Sequence, residues 1–191
     1  MKLYILKKLF QKLPFLVIAI IIIATLVCGL AGCKSEPVAL TIIKGTQTKT
    51  LTMVDVEALP IIFGTTGDMT GIGVLEGPNQ YKGVTLTDIL NTIGGITEND
   101  VVKVSGKDGY AITLSYAQIT EGSNFLTFDN STRKEVSPAG KLTVFLAYEK
   151  DGTPLDDIVG PLQLGIMAPS QLTSGNWWVK WVQKIEVVAS Q

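Results

Sequence analysis

The longest apolar stretch of the chain lies near its start, where residues 15–32 carry no charged side chain. Four lysines and no acidic residue precede it, and Leu30, Ala31 and Gly32 end it just before Cys33. A basic start, an apolar middle and small residues before a cleavage point are typical of an export signal. A stretch of this length is also at the short end of what spans a bilayer, so an uncleaved anchor is the alternative. Both interpretations place the remaining chain outside the cytoplasm, because the lysines stay inside.

Beyond this stretch, the apolar residues follow short periods that favour strands over helices. Alternating or β-branched runs between polar turns predict strands, and runs behind a Ser or Thr cap predict short helices. The predicted strands are residues 38–43, 48–53, 101–104, 110–114, 142–148, 162–167 and 179–188, and the predicted helices are 54–59, 87–93 and 115–119. Residues 64–77 are rich in glycine and threonine, which predicts a loop or an irregular hairpin. The pattern indicates an α+β fold, a β-rich mixed sheet with short helices.

The charge balance of the chain excludes one class of partner. The chain has 16 basic and 17 acidic residues, and four of the basic ones precede residue 33. The remaining 159 residues therefore hold 12 basic and 17 acidic side chains, a formal charge of −5, with Arg133 as the single arginine. Nucleic-acid binding needs clustered lysine or arginine, so we expect no nucleic-acid partner.

Cysteine and histidine usage limits the chemistry further. The two cysteines are Cys28, inside the apolar stretch, and Cys33, and the chain has no histidine. The residues after Cys33 therefore exclude Ser-His-Asp and Cys-His catalysis, zinc and copper sites built on those ligands, haem ligation by histidine and iron–sulfur clusters. Acids remain as candidate ligands of a hard cation such as calcium, although acids that simply face water are commoner. The candidates are Asp68, Glu76, Asp156 and Asp157.

The sequence Leu-Ala-Gly-Cys at residues 30–33 resembles the lipobox of prokaryotic lipoproteins, in which cleavage precedes the cysteine and the thiol carries lipid. The resemblance implies a signal peptide over residues 1–32, a polar tether over residues 33–37 and a domain over residues 38–191. It also implies that membrane lipid is a partner through Cys33, and that the protein lies on the outer face of the cytoplasmic membrane. Stable anchoring takes more than one acyl chain, which this modification supplies.

Five further stretches form an ordered series of motifs. They are residues 81–90 (YKGVTLTDIL), 107–110 (KDGY), 146–148 with 151–155 (LAY and DGTPL), 160–162 (GPL) and 179–185 (VKWVQKI). Their order, from about residue 51 to residue 188, resembles the molybdopterin-binding domain of the sulfite oxidase family. The resemblance implies the fold of that domain. In the last motif, the pattern places Trp181 and Ile185 in the core.

The chain departs from this family where the resemblance would place the chemistry. Catalytic members hold molybdenum through a cysteine thiolate in the segment before the first motif, and residues 61–80 contain no cysteine. Because molybdenum in this family is held by soft sulfur, Thr65, Thr66 or Asp68 would have to replace it. The family's arginine after the GPL motif is Gln163 here, although a pterin phosphate favours the paired donors of arginine. We therefore expect no cofactor, with molybdopterin as the remaining candidate.

Aromatic residues near a lysine form the candidate ligand site. If the family's fold is preserved, Trp177, Trp178 and Lys180 lie near Tyr110, and aromatic side chains beside one cation can line a ligand cleft. The alternative is structural, because a strand would turn one tryptophan to the core and the other to the surface.

These patterns predict a membrane-anchored, non-catalytic binding or accessory module rather than an enzyme. Its partner would be an unknown small ligand or another extracytoplasmic protein. Two alternatives remain open. One is a molybdopterin-dependent oxidoreductase with an atypical metal ligand, and the other is a metal-free carrier of a pterin or another small heterocycle.

Overall fold

The computed structural model describes residues 36–190, and within this range strands predominate over short helices, as predicted. The strands are β1 (Val38–Lys44), β2 (Gln47–Thr52), β3 (Ile61–Met69), β4 (Leu75–Thr85), β5 (Asp100–Gly106), β6 (Ala111–Ser115), β7 (Thr127–Asp129), β8 (Glu135–Val136), β9 (Thr143–Lys150), β10 (Thr153–Pro154), β11 (Gln163–Met167), β12 (Gln171–Ser174) and β13 (Val182–Ala189). The α-helices are α1 (Met53–Glu57), α2 (Leu86–Asn91) and α3 (Tyr116–Thr120), and Gly175–Trp177 is a 3-10 helix.

Two of the sequence predictions concern parts of the chain outside the described residues. These are the signal peptide over residues 1–32 and the lipid-bearing Cys33 with the start of its tether. Within residues 36–190, no helix has the length and apolar character needed to cross a membrane.

One sheet has five strands in the order β2-β1-β13-β5-β6. β1 and β13 run parallel, and the other neighbours run antiparallel. The strand nearest the C-terminus of the described chain therefore occupies the centre of this sheet. The β5–β6 hairpin turns at the predicted Lys-Asp-Gly sequence, where Gly109 has a positive φ of 87°. Glycine adopts this conformation without steric cost, so it suits the turn.

The larger sheet has the order β10-β9-β4-β3-β12-β7-β8, with β11 also paired to β9. β3 and β12 run parallel, and the other pairs run antiparallel. β4 and β9 approach each other closely at Gly83, because a β-carbon there would collide with the carbonyl group of Leu146.

Residues 64–77, predicted to be a loop or an irregular hairpin, form a hairpin. Most of them belong to β3 and β4, which pair from Ile61 opposite Val84 to Met69 opposite Leu75. The register shifts at Gly67, where a β-carbon would collide with the carbonyl oxygen of Glu76. The pairing of β3 with β4 therefore depends on Gly67. The same glycine interrupts the alternation of apolar residues that would have predicted a strand here.

Each α-helix begins at a capping side chain, at Thr52, Thr85 and Ser115. Each cap accepts a hydrogen bond from the backbone N–H three residues further on, over 3.0 to 3.2 Å. Such a bond satisfies one of the free donors of the first helical turn. α2 then buries Leu86, Ile89 and Leu90 completely, so its apolar face holds it on the core.

β9 separates two apolar clusters, because successive side chains of a strand point to opposite faces. Val144 and Leu146 face the main core, which takes residues from both sheets and from all three α-helices. Phe145 faces a smaller aromatic cluster on the other side of the sheet. That cluster consists of Tyr81, Phe145, Ala147, Met167 and Trp178.

The last strand begins later than the sequence predicts. Trp181 has a positive φ of 48°, outside the extended region, so β13 starts at Val182. Trp181 is half-buried, and its Nε1 donates to the carbonyl oxygen of Asp157 over 2.9 Å. The prediction that Trp181 is a core residue is therefore wrong, whereas Ile185 is fully buried as predicted.

Candidate ligand-binding cleft

A cleft of about 320 Å³ lies where the β3–β4 hairpin meets the 3-10 helix and the β5–β6 turn. This volume is at the lower end of the range typical of small-molecule sites, about 300–1,000 Å³. Its lining residues are Asp68, Thr70, Gly71, Glu76, Asp108, Tyr110, Gln163, Gly175, Asn176, Trp178 and Lys180. The structure thus brings together three of the four residues predicted to bind a ligand, namely Tyr110, Trp178 and Lys180.

Trp177, the fourth predicted residue, is not among the lining residues. Its ring packs edge-on against Phe125, with ring centroids 5.3 Å apart, and contacts the main core. Trp177 ends the 3-10 helix, and the next residue, Trp178, is extended. The two tryptophans therefore diverge because the 3-10 helix ends between them, rather than through the strand alternation considered from the sequence.

Asp68 is the most deeply buried acid of the cleft, with 6% of its surface exposed. In β3 it pairs with Glu76 of β4 on one side and with Thr173 of β12 on the other. Directly opposed residues of paired strands project to the same face, so the two carboxylates are neighbours. Like charges in opposed positions destabilise a sheet, so this pair weakens the hairpin that carries it.

The surroundings of Asp68 strongly favour its protonated form. Burial raises the pKa of Asp68 to about 7, and the negative charge of Glu76 adds to this rise. Lys180 and Lys150 act in the opposite direction but do not cancel it. Near neutral pH, the carboxyl group is therefore divided between its neutral and ionised forms.

Asp68 and Gln163 stand apart from the other buried polar residues. Of the seven buried polar residues in the described chain, five use their side chains in hydrogen bonds: Thr66, Gln118, Thr127, Gln171 and Thr173. Among residues 36–190, no side-chain hydrogen bond or ion pair reaches Asp68 or Gln163, which is 3% exposed. Both line the cleft. Within residues 36–190, the side-chain polar atoms sealed from solvent without a partner are Ser123 Oγ and Asn130 Oδ1, so the polar atoms of Asp68 and Gln163 remain open to the cleft.

Trp178 forms a rigid aromatic wall of the cleft. Its Nε1 donates to Thr173 Oγ1 over 2.9 Å, and its ring lies 5.5 Å from the ring of Tyr81, centroid to centroid. Gly165 in β11 leaves room for it, since a β-carbon there would lie 2.7 Å from Cζ3 of Trp178. Burial raises the pKa of Tyr81 to about 12, so its phenol stays neutral beside this wall.

The β5–β6 turn closes another side of the cleft. The hydroxyl group of Tyr110 donates to the carbonyl oxygen of Asn176 over 2.8 Å, which ties the turn to the 3-10 helix. The carboxylate of Asp108 accepts a hydrogen bond from the backbone N–H of Tyr110 over 3.0 Å. Lys180 lines the cleft as its single basic residue beside the acids Asp68, Glu76 and Asp108.

The other candidate ligands lie in different places. The Thr66 hydroxyl group donates to the carbonyl oxygen of Ile166 over 2.8 Å and accepts from the backbone N–H of Ala168 over 3.2 Å, so backbone groups occupy it. Asp156 accepts backbone hydrogen bonds in its own turn, and Asp157 is exposed. Within residues 36–190, no group of three or more acids is placed to hold a metal ion.

Comparison with known proteins agrees with this architecture. Among solved structures, the crystal structure of the sulfane dehydrogenase SoxCD from Paracoccus pantotrophus is similar, with a TM-score of 0.54 and 19% sequence identity. The similarity covers 78% of this chain but 37% of that chain, so it shows a shared fold over a minor part of the larger protein. No curated protein matches this chain.

A family model described as the oxidoreductase molybdopterin binding domain matches residues 64–191. The matched range contains all five motifs, and it confirms the resemblance that they indicate. Because the match extends over most of the chain, the chain belongs to the oxidoreductase molybdopterin binding domain family, the family of sulfite oxidase.

Proposed function

We propose that this protein is a ligand-binding module rather than a molybdenum enzyme, and that lipid on Cys33 holds it at the outer face of the cytoplasmic membrane. The support for the anchor is the sequence of the first 33 residues, with its lysines, its apolar stretch and its Leu-Ala-Gly-Cys motif. The support for ligand binding is the cleft beside Asp68.

The observation that carries the binding function is the pair of buried side chains without a protein partner. Because their polar atoms open to the cleft and are not sealed inside the protein, a ligand in the cleft can bind both of them. Asp68 also raises the energy of its hairpin through its pairing with Glu76. A ligand that fills the cleft would supply hydrogen-bond partners to both side chains, so the arrangement suits a binding site.

The residues of the cleft do not fit molybdopterin, the cofactor that the family's description implies. A molybdenum–thiolate bond needs a cysteine, and residues 34–191 have none. A phosphate-bearing pterin needs cationic donors, whereas the lining offers three acids and Lys180. Arg133, the single arginine, lies exposed between β7 and β8 and is absent from the lining.

The lining of the cleft also argues against the two alternative functions, an oxidoreductase with an atypical metal ligand and a metal-free pterin carrier. An oxidoreductase with another metal ligand would have to use Asp68, because Thr65 is exposed outside the cleft and backbone groups occupy the Thr66 hydroxyl. A single hard carboxylate is a poor substitute for a soft thiolate. A carrier of a phosphorylated pterin would bring a further negative charge to the acidic lining.

Metal and pterin analysis of the full-length protein tests the proposal. The protein would be purified from the membranes of a host that makes molybdopterin and is supplied with molybdate. A family member that keeps its cysteine, produced in the same cells, is the control for cofactor supply. We expect molybdenum and pterin in the control and neither of them in this protein. Stoichiometric molybdenum or tungsten in this protein would overturn the proposal.

A further inference from the structure

We propose that the cleft binds a small organic cation, whose N–H groups pair with the Asp68 carboxylate and the amide oxygen of Gln163. This inference rests on the proposed binding function and adds the chemical class of the ligand. It assigns an acceptor role to the two side chains that lack a protein partner.

The charges of the lining residues favour a cation. Asp68, Glu76 and Asp108 contribute three negative charges when ionised, and Lys180 contributes one positive charge. Lys180 forms no ion pair with Asp68, since the ion pairs of the described chain are Lys82–Glu149 and Lys184–Glu186. The buried carboxylate is therefore open to a positive group from outside the protein. An anion would instead share the cleft with these three acids.

The hydrogen-bonding capacity of the cleft favours a cation with N–H donors. An ionised carboxylate accepts hydrogen bonds and donates none, so Asp68 needs donors from its ligand. The amide oxygen of Gln163 is a further acceptor in the same cavity. Hydrogen bonds between a nitrogen cation and a carboxylate are about twice as strong as neutral ones. An ammonium, amidinium or guanidinium group fits this requirement, and a quaternary ammonium group does not.

The shape of the cleft favours a compact ligand with a flat apolar part. Trp178 and Tyr110 are the aromatic residues of its lining, and the Trp178 ring is fixed by its bond to Thr173. A cation over an aromatic ring gains additional attraction from the electron-rich face. About 320 Å³ has room for one ring and its substituent but not for a large cofactor.

Cation binding at Asp68 requires its ionised form, so affinity must rise with pH. The charged groups that act on Asp68 are Glu76 from β4, Lys180 before β13 and Lys150 at the end of β9, and Asp108 lines the same cleft. β12 and the 3-10 helix carry no titratable side chain. With a pKa of about 7, roughly one tenth of Asp68 is ionised at pH 6 in the free protein. We expect about tenfold weaker binding at pH 6 than at pH 8.

Three probes of the same shape and different charge test the inference by titration calorimetry on the full-length protein in detergent. They are benzamidinium, a planar cation with N–H donors, benzamide, which is neutral, and benzoate, an anion. We expect benzamidinium to bind at least tenfold more tightly than the other two at pH 8. Asp68→Asn keeps the shape of the side chain and removes its charge. It should weaken benzamidinium binding at least tenfold and abolish the pH dependence.

Glu135→Gln is the matched control, because Glu135 is an exposed acid in β8 outside the cleft. Like Asp68→Asn, it removes one negative charge, and we expect it to leave the binding of benzamidinium unchanged. Equal binding of all three probes, tighter binding of benzoate or benzamide, or no binding of benzamidinium would overturn the inference. Binding of the neutral or anionic probe would leave the proposed binding function intact. Molybdenum in the purified protein would overturn that function whichever probe binds.

Discussion

Gly175 and Asp68 lie so close together that no side chain could replace the hydrogen of Gly175 without moving the carboxylate. A β-carbon on Gly175 would lie 2.7 Å from Oδ2 of Asp68 and 3.2 Å from the carbonyl oxygen of Met69. We therefore expect Gly175→Ala to displace Asp68 and weaken the binding of benzamidinium severalfold. Overpacking of this kind also destabilises a domain by about 1–3 kcal/mol. Calorimetry and thermal unfolding measure the two effects.

Gly140→Ala is the control for this substitution. A β-carbon on Gly140 meets no atom within 4 Å, so we expect neither a loss of stability nor a change in affinity. If Gly175→Ala binds the probe as tightly as the unaltered protein, the position of the Asp68 carboxylate does not matter for the ligand.

The pKa of Asp68 predicts how stability changes with pH. A carboxyl group whose pKa is raised from 3.8 in the unfolded chain to about 7 in the folded protein favours folding below pH 4. This contribution is lost as the pH rises from about 4 through 7, because the unfolded chain releases its proton over this range while the folded protein keeps it. Asp68→Asn cannot ionise. We expect it to raise the melting temperature by roughly 5 °C at pH 8 and to change it little at pH 4.

Thermal unfolding at pH 4, 6 and 8 measures this difference, with Glu135→Gln as the control for loss of an exposed charge. An equal shift of the melting temperature at all three pH values would contradict the raised pKa of Asp68.

The bond between Thr173 and Trp178 predicts the cost of losing a single hydroxyl group. Thr173→Val keeps the shape of the side chain but leaves the buried Nε1–H of Trp178 without its acceptor. We expect it to lower the free energy of unfolding by about 1–3 kcal/mol. Thr173→Ser keeps the hydroxyl group and should cost less. Urea unfolding followed by tryptophan fluorescence compares the two, and equal losses would mean that the bond to Trp178 contributes little.

The predicted lipid anchor can be tested by replacing Cys33 and, as a control, Cys28. We expect Cys33→Ser to abolish incorporation of labelled fatty acid and to release the protein from lipid-dependent membrane binding. Cys28→Ser, inside the apolar stretch, should leave both unchanged. Labelling and membrane fractionation in the exporting host measure the outcome. Labelling that persists in Cys33→Ser would contradict the anchor.

The parts of the fold that depend on neighbours in sequence are predictable. The caps Thr85 and Ser115 bond to the residue three positions further on, so their helices follow from local pattern. The β3–β4 hairpin was harder to predict, because Gly64 and Gly67 interrupt its apolar period. Gly64 leaves room for Met167, which is about 100 residues away in the sequence, and Gly67 leaves room for the carbonyl oxygen of Glu76 on the paired strand β4. A periodicity in the sequence contains neither contact.

The candidate site also combines residues that the sequence indicates with one residue whose place depends on distant parts of the chain. The motifs lead to Tyr110, Trp178 and Lys180, and the comparison with the family singles out Gln163. Asp68 looks like an ordinary loop acid in the sequence. Its burial depends on the parallel pairing of β3 with β12, which lies more than 100 residues away in the chain. No local pattern contains that information, so the residue most important to the proposal is recognised as buried only in the folded structure.

The central place of β13 also determines when the domain can be completed. β13 joins β1 on one side and β5 on the other, so residues 182–189 must be available before the five-stranded sheet can close. During synthesis, which proceeds from the N-terminus, β1 is made long before its partner β13. The five-stranded sheet can therefore be completed only after nearly the whole domain has been synthesised.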